Sequence, residues 1–510
     1  MLQLLASVLL GFQAPGFPEI EAKLRSAVDR ASYEAGAADC AKALAELRST
    51  QAMELRLELF DARLTTYRGV FLRDWFYAGM TRSQTAEECR LLAKAAADKK
   101  RSALLRELCL QALAISPASV EGEILFDQDF FRAPDPVRRA WQNAAGVALA
   151  QGRTVFKKPA EAGSARLVLL EAGAPFLGHA HLGNWTAEEK SAIVKAAHAA
   201  KDPADRAEAL RVLATRRAEQ ALCASAAARA WQHSDRAPRA AALAAAVEYD
   251  AYETVPALLN FLEAESKEDT ARWTTETATA LRLLTGLPFG PQPQAWRQWW
   301  TREGPAWLVT RRAHGDAPAP RADLRGGTSD TVSGNFFGLV VDSKRLAIVV
   351  DGSGSMSASM FGAVSTVEAA AREVMRFCAQ LPDGAVFQLW VVETAPVPCF
   401  NRAVPTKRAN LDKAEQFLRS RAYRSTSAVV DALEAAMLDP EIDTIIFVGD
   451  GGSSAGRHQN DAYVLEAALR LHRRHGVRIH TVLVTDSLAH EKFMRDLAEG
   501  TGGRMARPQP

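Results

Sequence analysis

The sequence predicts two architectures in one chain: an all-α amino-terminal half and a carboxyl-terminal α/β domain on a doubly wound, mainly parallel sheet. Three observations carry this. From about Phe17 to Leu308 the apolar residues recur at spacings of three and four, the period of a helix. After about Asn335, short β-branched and apolar runs alternate with helical stretches, as parallel strands and their crossover helices do. Between the two, "RRAHGDAPAPRADLRGGTSD" (Arg311 to Asp330) loses all apolar periodicity and is rich in Pro, Gly, Asp and Arg, which marks a linker. A length of 510 residues suits about three domains.

The chain opens on "MLQLLASVLLGFQAPGFPEIEAK". Leu2 to Phe12 is apolar and too short to span a bilayer. It resembles the apolar part of a secretory signal, with Ala14 as a small cleavage-site residue, although no Lys or Arg precedes Lys23. The expectation is an exported protein of the periplasm or cell envelope with a signal over residues 1–16. The alternative is a first amphipathic helix and a cytoplasmic protein. No other apolar run is long enough for a transmembrane helix.

Residues 17–155 read as helices without a clear repeat, and 156–310 as a repeat region. "DPADRAEAL" at Asp202 and "DRAPRAAAL" at Asp235 lie 33 residues apart and match at Asp202/Asp235, Arg206/Arg239 and Leu210/Leu243, among others. That period suits a helical hairpin that buries its face against its neighbours. With "AYETVPALLNFLEAE" as a second helix, the stretch from about Ala200 to Leu284 resembles HEAT-like repeats. The breakers "KDPAD" and "HSDRAP" offer Asp and Ser as helix caps. Trp296, Trp299, Trp300 and Trp307 could share a helix face, as core or capping surface, or as a partner surface.

Charge and cysteines narrow the function. A net charge of +2, with no basic tract interleaved with aromatics, gives no electrostatic ground for nucleic acid or an anionic membrane. The six cysteines are scattered without a CxxC pair and read as buried apolar thiols. His179 and His181 in "GHAHLGNW" do not make a zinc site by themselves.

Beyond a linker over 311–334, the domain over 335–510 has strand candidates "NFFGLVV", "RLAIVVD", "AVFQLWVVET", "DTIIFVGD" and "RIHTVLVTD". Helices are expected at Gly362–Leu381, Leu411–Arg421, Ser427–Met437, Asp461–Gly476 and His490–Glu499. In such a sheet, ligands sit beyond the carboxyl ends of the strands. Those ends hold Asp351 with Ser353 and Ser355, Glu393 with Thr394, Asp450, and Asp486; Ser425 and Thr426 stand at a helix start. The donors are carboxylates and hydroxyls, with neither imidazole nor thiolate. A hard divalent cation, Mg²⁺ or Mn²⁺, prefers that set, and an acidic group from a partner could fill an open position.

These residues carry a resemblance. The domain is similar to von Willebrand factor type A domains, which have a Rossmann-like fold. "DGSGSM" matches the DxSxS metal-ion-dependent adhesion motif at Asp351, Ser353 and Ser355. Thr426 matches the family's third hydroxyl and Asp450 its second aspartate. Two departures stand out: Arg424 and Ser425 where the family usually has Gly-Gly, and Gly449 where it often has Thr or Ser. The resemblance implies a bound cation, a protein ligand whose carboxylate completes its shell, and a shift of the last helix on binding. The expected function is therefore a non-enzymatic interaction protein with the helical repeats as scaffold. A pure scaffold with a vestigial metal site competes with it. So does a serine hydrolase using Ser454 in "GSSAG", with Asp486 and His490 downstream.

Overall fold

The structure is a computed structural model. It describes residues 16–29, 36–60, 67–126, 132–156, 184–216, 219–248, 251–267, 271–313, 334–358, 360–485 and 489–508, with positions 130, 165 and 169. The leader segment, the pair His179/His181, Asp486 and nearly all of the linker lie outside the described residues. The chain divides into two compact units. One is drawn from Met1–Ala172, His181–Asn184 and His458–Asn460, the other from Gly173–Ala180, Trp185–Arg457 and Asp461–Pro510.

The first unit is helical: α1 (Phe17–Asp29), α2 (Ala37–Glu46), α3 (Thr50–Leu59), α4 (Tyr67–Met80), α5 (Ala86–Ala97), α6 (Ala103–Ile115) and α7 (Asp135–Ala150). Helix starts are set by side-chain caps, with a capping box between Thr85 and Glu88 on α5. Several helix ends are closed by buried arginines. Arg56 donates to the carbonyls of Leu44 and Leu47, Arg106 to Ala96, and Arg153 to Leu113 and Ala118. A cation there satisfies orphan carbonyls and meets the negative end of the helix dipole.

The second unit begins with α8 (Ala187–Ala199), α9 (Pro203–Ala214), α10 (Gln220–Gln232), α11 (Arg236–Glu248), α12 (Val255–Lys267), α13 (Ala271–Thr285), α14 (Pro293–Arg302) and α15 (Gly304–Ala313). Asp202 caps α9 through the amide of Ala204, at 2.9 Å. The 33-residue offset has a counterpart in space. Arg206 donates to the carbonyl of Ala200, and Arg239 to that of His233. Arg206 also pairs with Asp235, so one copy of the motif binds the next. Trp296 and Trp299 are buried in the helical core, ring centroids 6.3 Å apart, with Trp300 and Trp307 packed around them. The tryptophan cluster is core, and all six cysteines are buried and free.

The α/β part has β1 (Arg345–Asp351), β2 (Val386–Val392), β3 (Pro396–Pro398), β4 (Val404–Pro405), β5 (Thr444–Gly449), β6 (Arg478–Leu483) and β7 (Met505–Ala506). Their spatial order is β4-β2-β1-β5-β6-β7, with β3 also on β2. β2, β1, β5, β6 and β7 run parallel; β3 and β4 run antiparallel to β2. Helices α16 (Thr366–Gln380), α17 (Arg408–Ser420), α18 (Val429–Met437), α19 (Asp461–His475) and α20 (Glu491–Gly500) cover the sheet. Strand alternation divides the core in two. Leu346, Ile348 and Val350 face α16 and α17, whereas Ala347 and Val349 face α18, α19 and α20.

Two expected elements differ. "NFFGLVV" is a separate hairpin, Gly334–Phe336 against Leu339–Val341. Phe337 and Gly338 both take positive φ, 49° and 82°, as a tight two-residue hairpin turn requires. The helix expected from Gly362 starts at Thr366, because a small hairpin at Met360–Ser365 precedes it and Ser365 caps it through Glu368. No described helix is long and apolar enough to cross a membrane.

At the base of this unit, helices α9, α11 and α13 hold α/β elements. Arg236 donates to the carbonyls of Met437 and Asp439 at 3.1 and 3.0 Å, closing the end of α18. Arg211 donates to Arg473 at the end of α19, and Arg272 to Asp443 just before β5.

Candidate metal centre

The chain runs from β1 outward to β2 on one side and later takes up β5 on the other. The order therefore reverses between β1 and β5, where open parallel sheets leave a crevice. Asp351 is the last residue of β1, and Asp450 follows β5 directly.

Asp351 is fully buried. Its Oδ1 accepts the Ser353 amide at 2.8 Å, while its Oδ2 is buried without a hydrogen-bond partner. Burial, and then the charge of Asp450, pushes its carboxyl up to about 7; the amide and hydroxyl of Ser353 and the hydroxyl of Ser427 pull the other way. Ser353 Oγ and Ser355 Oγ are 2.8 Å apart, and Ser355 donates to Asp450 Oδ2. Four of the five expected residues are thus one hydrogen-bonded cluster. Thr426 lies on the adjoining loop. Its neighbour Ser425 pairs with Ser353 in an isolated parallel bridge, and the Gly354 amide donates to the Ser425 carbonyl at 3.1 Å. The Thr426 hydroxyl meets Thr394 Oγ1 at 2.8 Å, and Ser425 Oγ meets it at 3.0 Å. Helix α18 begins at Val429, so Thr426 precedes that helix rather than opening it.

The glycines have different reasons. A Cβ on Gly352 would meet the Val392 carbonyl oxygen at 2.7 Å, so β1 must end without a side chain there. Gly354 is under no such crowding: its Cβ would find only the Arg424 Cα, at 4.0 Å. Gly449 leaves room for Asp351 itself, 2.8 Å from its Cβ. Gly451 combines φ +91° with a Cβ position 2.7 Å from that of His490.

His490 was named in the sequence only as a hydrolase partner. It stands just before α20, its Nδ1 2.8 Å from Asp461 and its ring against Gly452. The hydrogen bond to Asp461 raises its pKa, and the charges of Asp450 and Asp351 add to this. No sequence signal points to Asp461 as its partner, since 29 residues separate them. Ser454 Oγ accepts the Ser427 amide at 2.8 Å.

The donor set fits a hard cation. A buried carboxylate oxygen lacks a partner, its charge is opposed by a second carboxylate, Ser353 and Ser355 are bonded into the same cluster, and Thr426 stands on the loop bridged to Ser353. Asp351, Ser353, Ser355, Thr426 and Asp450 are the residues that could hold Mg²⁺ or Mn²⁺, directly or through water. Among the described residues, no group of three or more His, Cys, Asp or Glu is placed to hold a metal ion, so a cation here would rest on two carboxylates and hydroxyls.

A family model agrees with the α/β part of this architecture. The sequence model of the von Willebrand factor type A domain matches residues 344–506. Among solved structures, the chain is similar to a von Willebrand factor type A protein from Catenulispora acidiphila, at 14% identity and TM-score 0.26, over 34% of this chain and 40% of that one. It is similar to an aerotolerance-related membrane protein from Bacteroides fragilis, at 16% identity and TM-score 0.26, over 32% of this chain and 90% of that one. It is also similar to the Deinococcus radiodurans RO (RSR) protein, at 14% identity and TM-score 0.21, over 95% of this chain and 91% of that one. No curated protein matches the chain. With the sheet order and the match together, residues 344–506 are a von Willebrand factor type A domain.

Proposed function

We propose that this chain is a non-enzymatic interaction protein that captures a protein partner through a divalent cation, Mg²⁺ or Mn²⁺, on its type A domain. The observation that carries the reading is Asp351 Oδ2, a buried carboxylate oxygen without a partner at the point where the strand order reverses. An unpaired charge there is costly in the protein alone and is relieved by a cation. Asp351, Ser353, Ser355, Thr426 and Asp450 hold the ion, and a partner carboxylate completes its shell. The helices from Ala187 onward act as a HEAT-like scaffold, and the apolar segment Leu2–Phe12 favours action outside the cytoplasm.

The test is thermal unfolding with Mg²⁺, Mn²⁺ or EDTA, on the wild type and Asp351→Ala. A ligand that binds only the folded state adds about 2.7 kcal/mol at a hundredfold excess over its dissociation constant. A rise in Tm with cation that Asp351→Ala abolishes supports the reading. No rise at millimolar cation leaves a scaffold with a vestigial site.

A further inference from the structure

The loop that brings Thr426 to the cup also presents a cation. Arg424 is exposed, and no ion pair or hydrogen bond engages its side chain among the described residues. Its neighbour in sequence, Arg421, is spent differently: its Nε donates to Glu393 at 2.9 Å, and its guanidinium lies over the Phe417 ring.

Arg424 is held on both sides. Before it, Tyr423 has φ 46°, a left-handed conformation rare for a side chain of that size. The Tyr423 ring is buried, its hydroxyl donates to the Leu418 carbonyl at 3.1 Å, and its own carbonyl accepts from Ser357 Oγ at 3.0 Å. After it, Ser425 is bridged to Ser353. The backbone that carries Arg424 is thus tied at both ends to the Ser353–Ser357 turn. A residue kept in a strained conformation by its surroundings marks a functional position more often than a free loop does.

Charge then decides what the position takes. The cup holds two carboxylates, which one divalent cation neutralises. With the ion in place the two carboxylates are neutralised, and Arg424, whose Cα lies 4.0 Å from a Cβ position on Gly354, is an exposed cation beside them. We propose that Arg424 is a second anchor for the partner, taking an acidic side chain close in sequence to the carboxylate that reaches the metal. The partner is accordingly a protein segment with at least two acidic residues. This rests on the metal-dependent reading above, whose failure shows separately in the cation-dependent Tm.

The experiment measures anisotropy of labelled synthetic peptides against the full chain in Mg²⁺. One peptide carries a single glutamate among glycines; the others carry two, adjacent or separated by one or two glycines. In the wild type, at least one two-glutamate peptide is expected to bind about fivefold or more tighter than the single-glutamate peptide. The advantage falls with added salt, survives in Arg424→Lys and disappears in Arg424→Ala. Arg424 is exposed, so both variants should keep the wild-type Tm and its cation response. An unchanged preference in Arg424→Ala overturns the proposal. So does the absence of any difference between the peptides, or of any binding, in a protein whose Tm rises with Mg²⁺. If Tm ignores Mg²⁺ but the two-glutamate preference still needs Arg424, the metal reading fails and the anchor stands.

Discussion

Gly449 and Asp351 share a space that one side chain fills. A Cβ on Gly449 would stand 2.8 Å from the Asp351 Cβ and 3.2 Å from its Oδ2. Glycine at the end of β5 is therefore how this chain accommodates the buried carboxylate. Gly449→Ala is expected to destabilise the domain by about 1–3 kcal/mol, since overpacking pushes Asp351 off its position. Gly449→Ser should do the same. Urea unfolding in EDTA measures the loss, and a Tm series in Mg²⁺ should show a weakened cation response. A neutral Gly449→Ala would mean that Asp351 has room to move.

The burial of Asp351 has a cost that can be measured. Its carboxyl is pushed up to about 7 by burial and by Asp450, so in EDTA at pH 8 it carries a charge that nothing neutralises. Asp351→Asn keeps the shape and removes the charge. The variant is expected to melt higher than wild type in EDTA at pH 8, by the order of 1 kcal/mol, and to lose the gain from Mg²⁺. The two curves should cross as cation is added. A variant less stable than wild type in EDTA would show that the carboxylate is satisfied without metal.

Much of this was legible in the sequence, for physical reasons. A strand buried on both faces must be apolar throughout, so Leu346–Val350 and Ile445–Val448 announce themselves. The residue that ends such a strand lies at the carboxyl edge of the sheet, so the sequence alone puts Asp351 and Asp450 at one edge. What could not be read depends on tertiary approach. Nothing local shows that Gly449 must yield to Asp351, that Asp461 orients His490, or that Tyr423 turns left-handed. The sequence puts Thr426 at the start of α18, but its hydroxyl is engaged by Thr394 and the helix begins only at Val429. Gly352 and Gly354 look equivalent in "DGSGS", yet only the first is crowded by β2.

The base of the sheet makes a pH prediction. His480 on β6 is buried, and its Nδ1 accepts the Arg504 amide at 3.0 Å, so that nitrogen carries no proton. Burial, and then the Arg478 charge, pushes its pKa down to about 3. The unfolded chain has an ordinary histidine near 6.5. Between these values the unfolded state binds the extra proton, so stability is complete above about 6.5 and declines as pH falls towards 3. One such group contributes a slope of about 1.4 kcal/mol per pH unit. His480→Asn retains an acceptor and does not titrate. Its unfolding free energy should therefore fall more shallowly than wild type between pH 6.5 and 4, by roughly that slope. Parallel pH profiles would mean that His480 is charged in the folded protein.

Ser454 provides the sharpest check on the competing hydrolase reading. A serine nucleophile needs a base that accepts its proton, with a third group orienting that base. Asp461 does orient His490, at 2.8 Å. Ser454, however, is stitched to another loop. Its Oγ accepts the Ser427 amide at 2.8 Å, and its own amide donates to the Ser427 carbonyl at 2.8 Å. The "GDG" turn before it also keeps it from standing directly on the strand end, where a nucleophile elbow sits. Incubation with a fluorophosphonate probe is expected to label wild type no more than Ser454→Ala or His490→Ala. Both variants should keep the rise in Tm with Mg²⁺, because neither residue belongs to the cup. Labelling that Ser454→Ala and His490→Ala each remove would replace the interaction reading with a hydrolase.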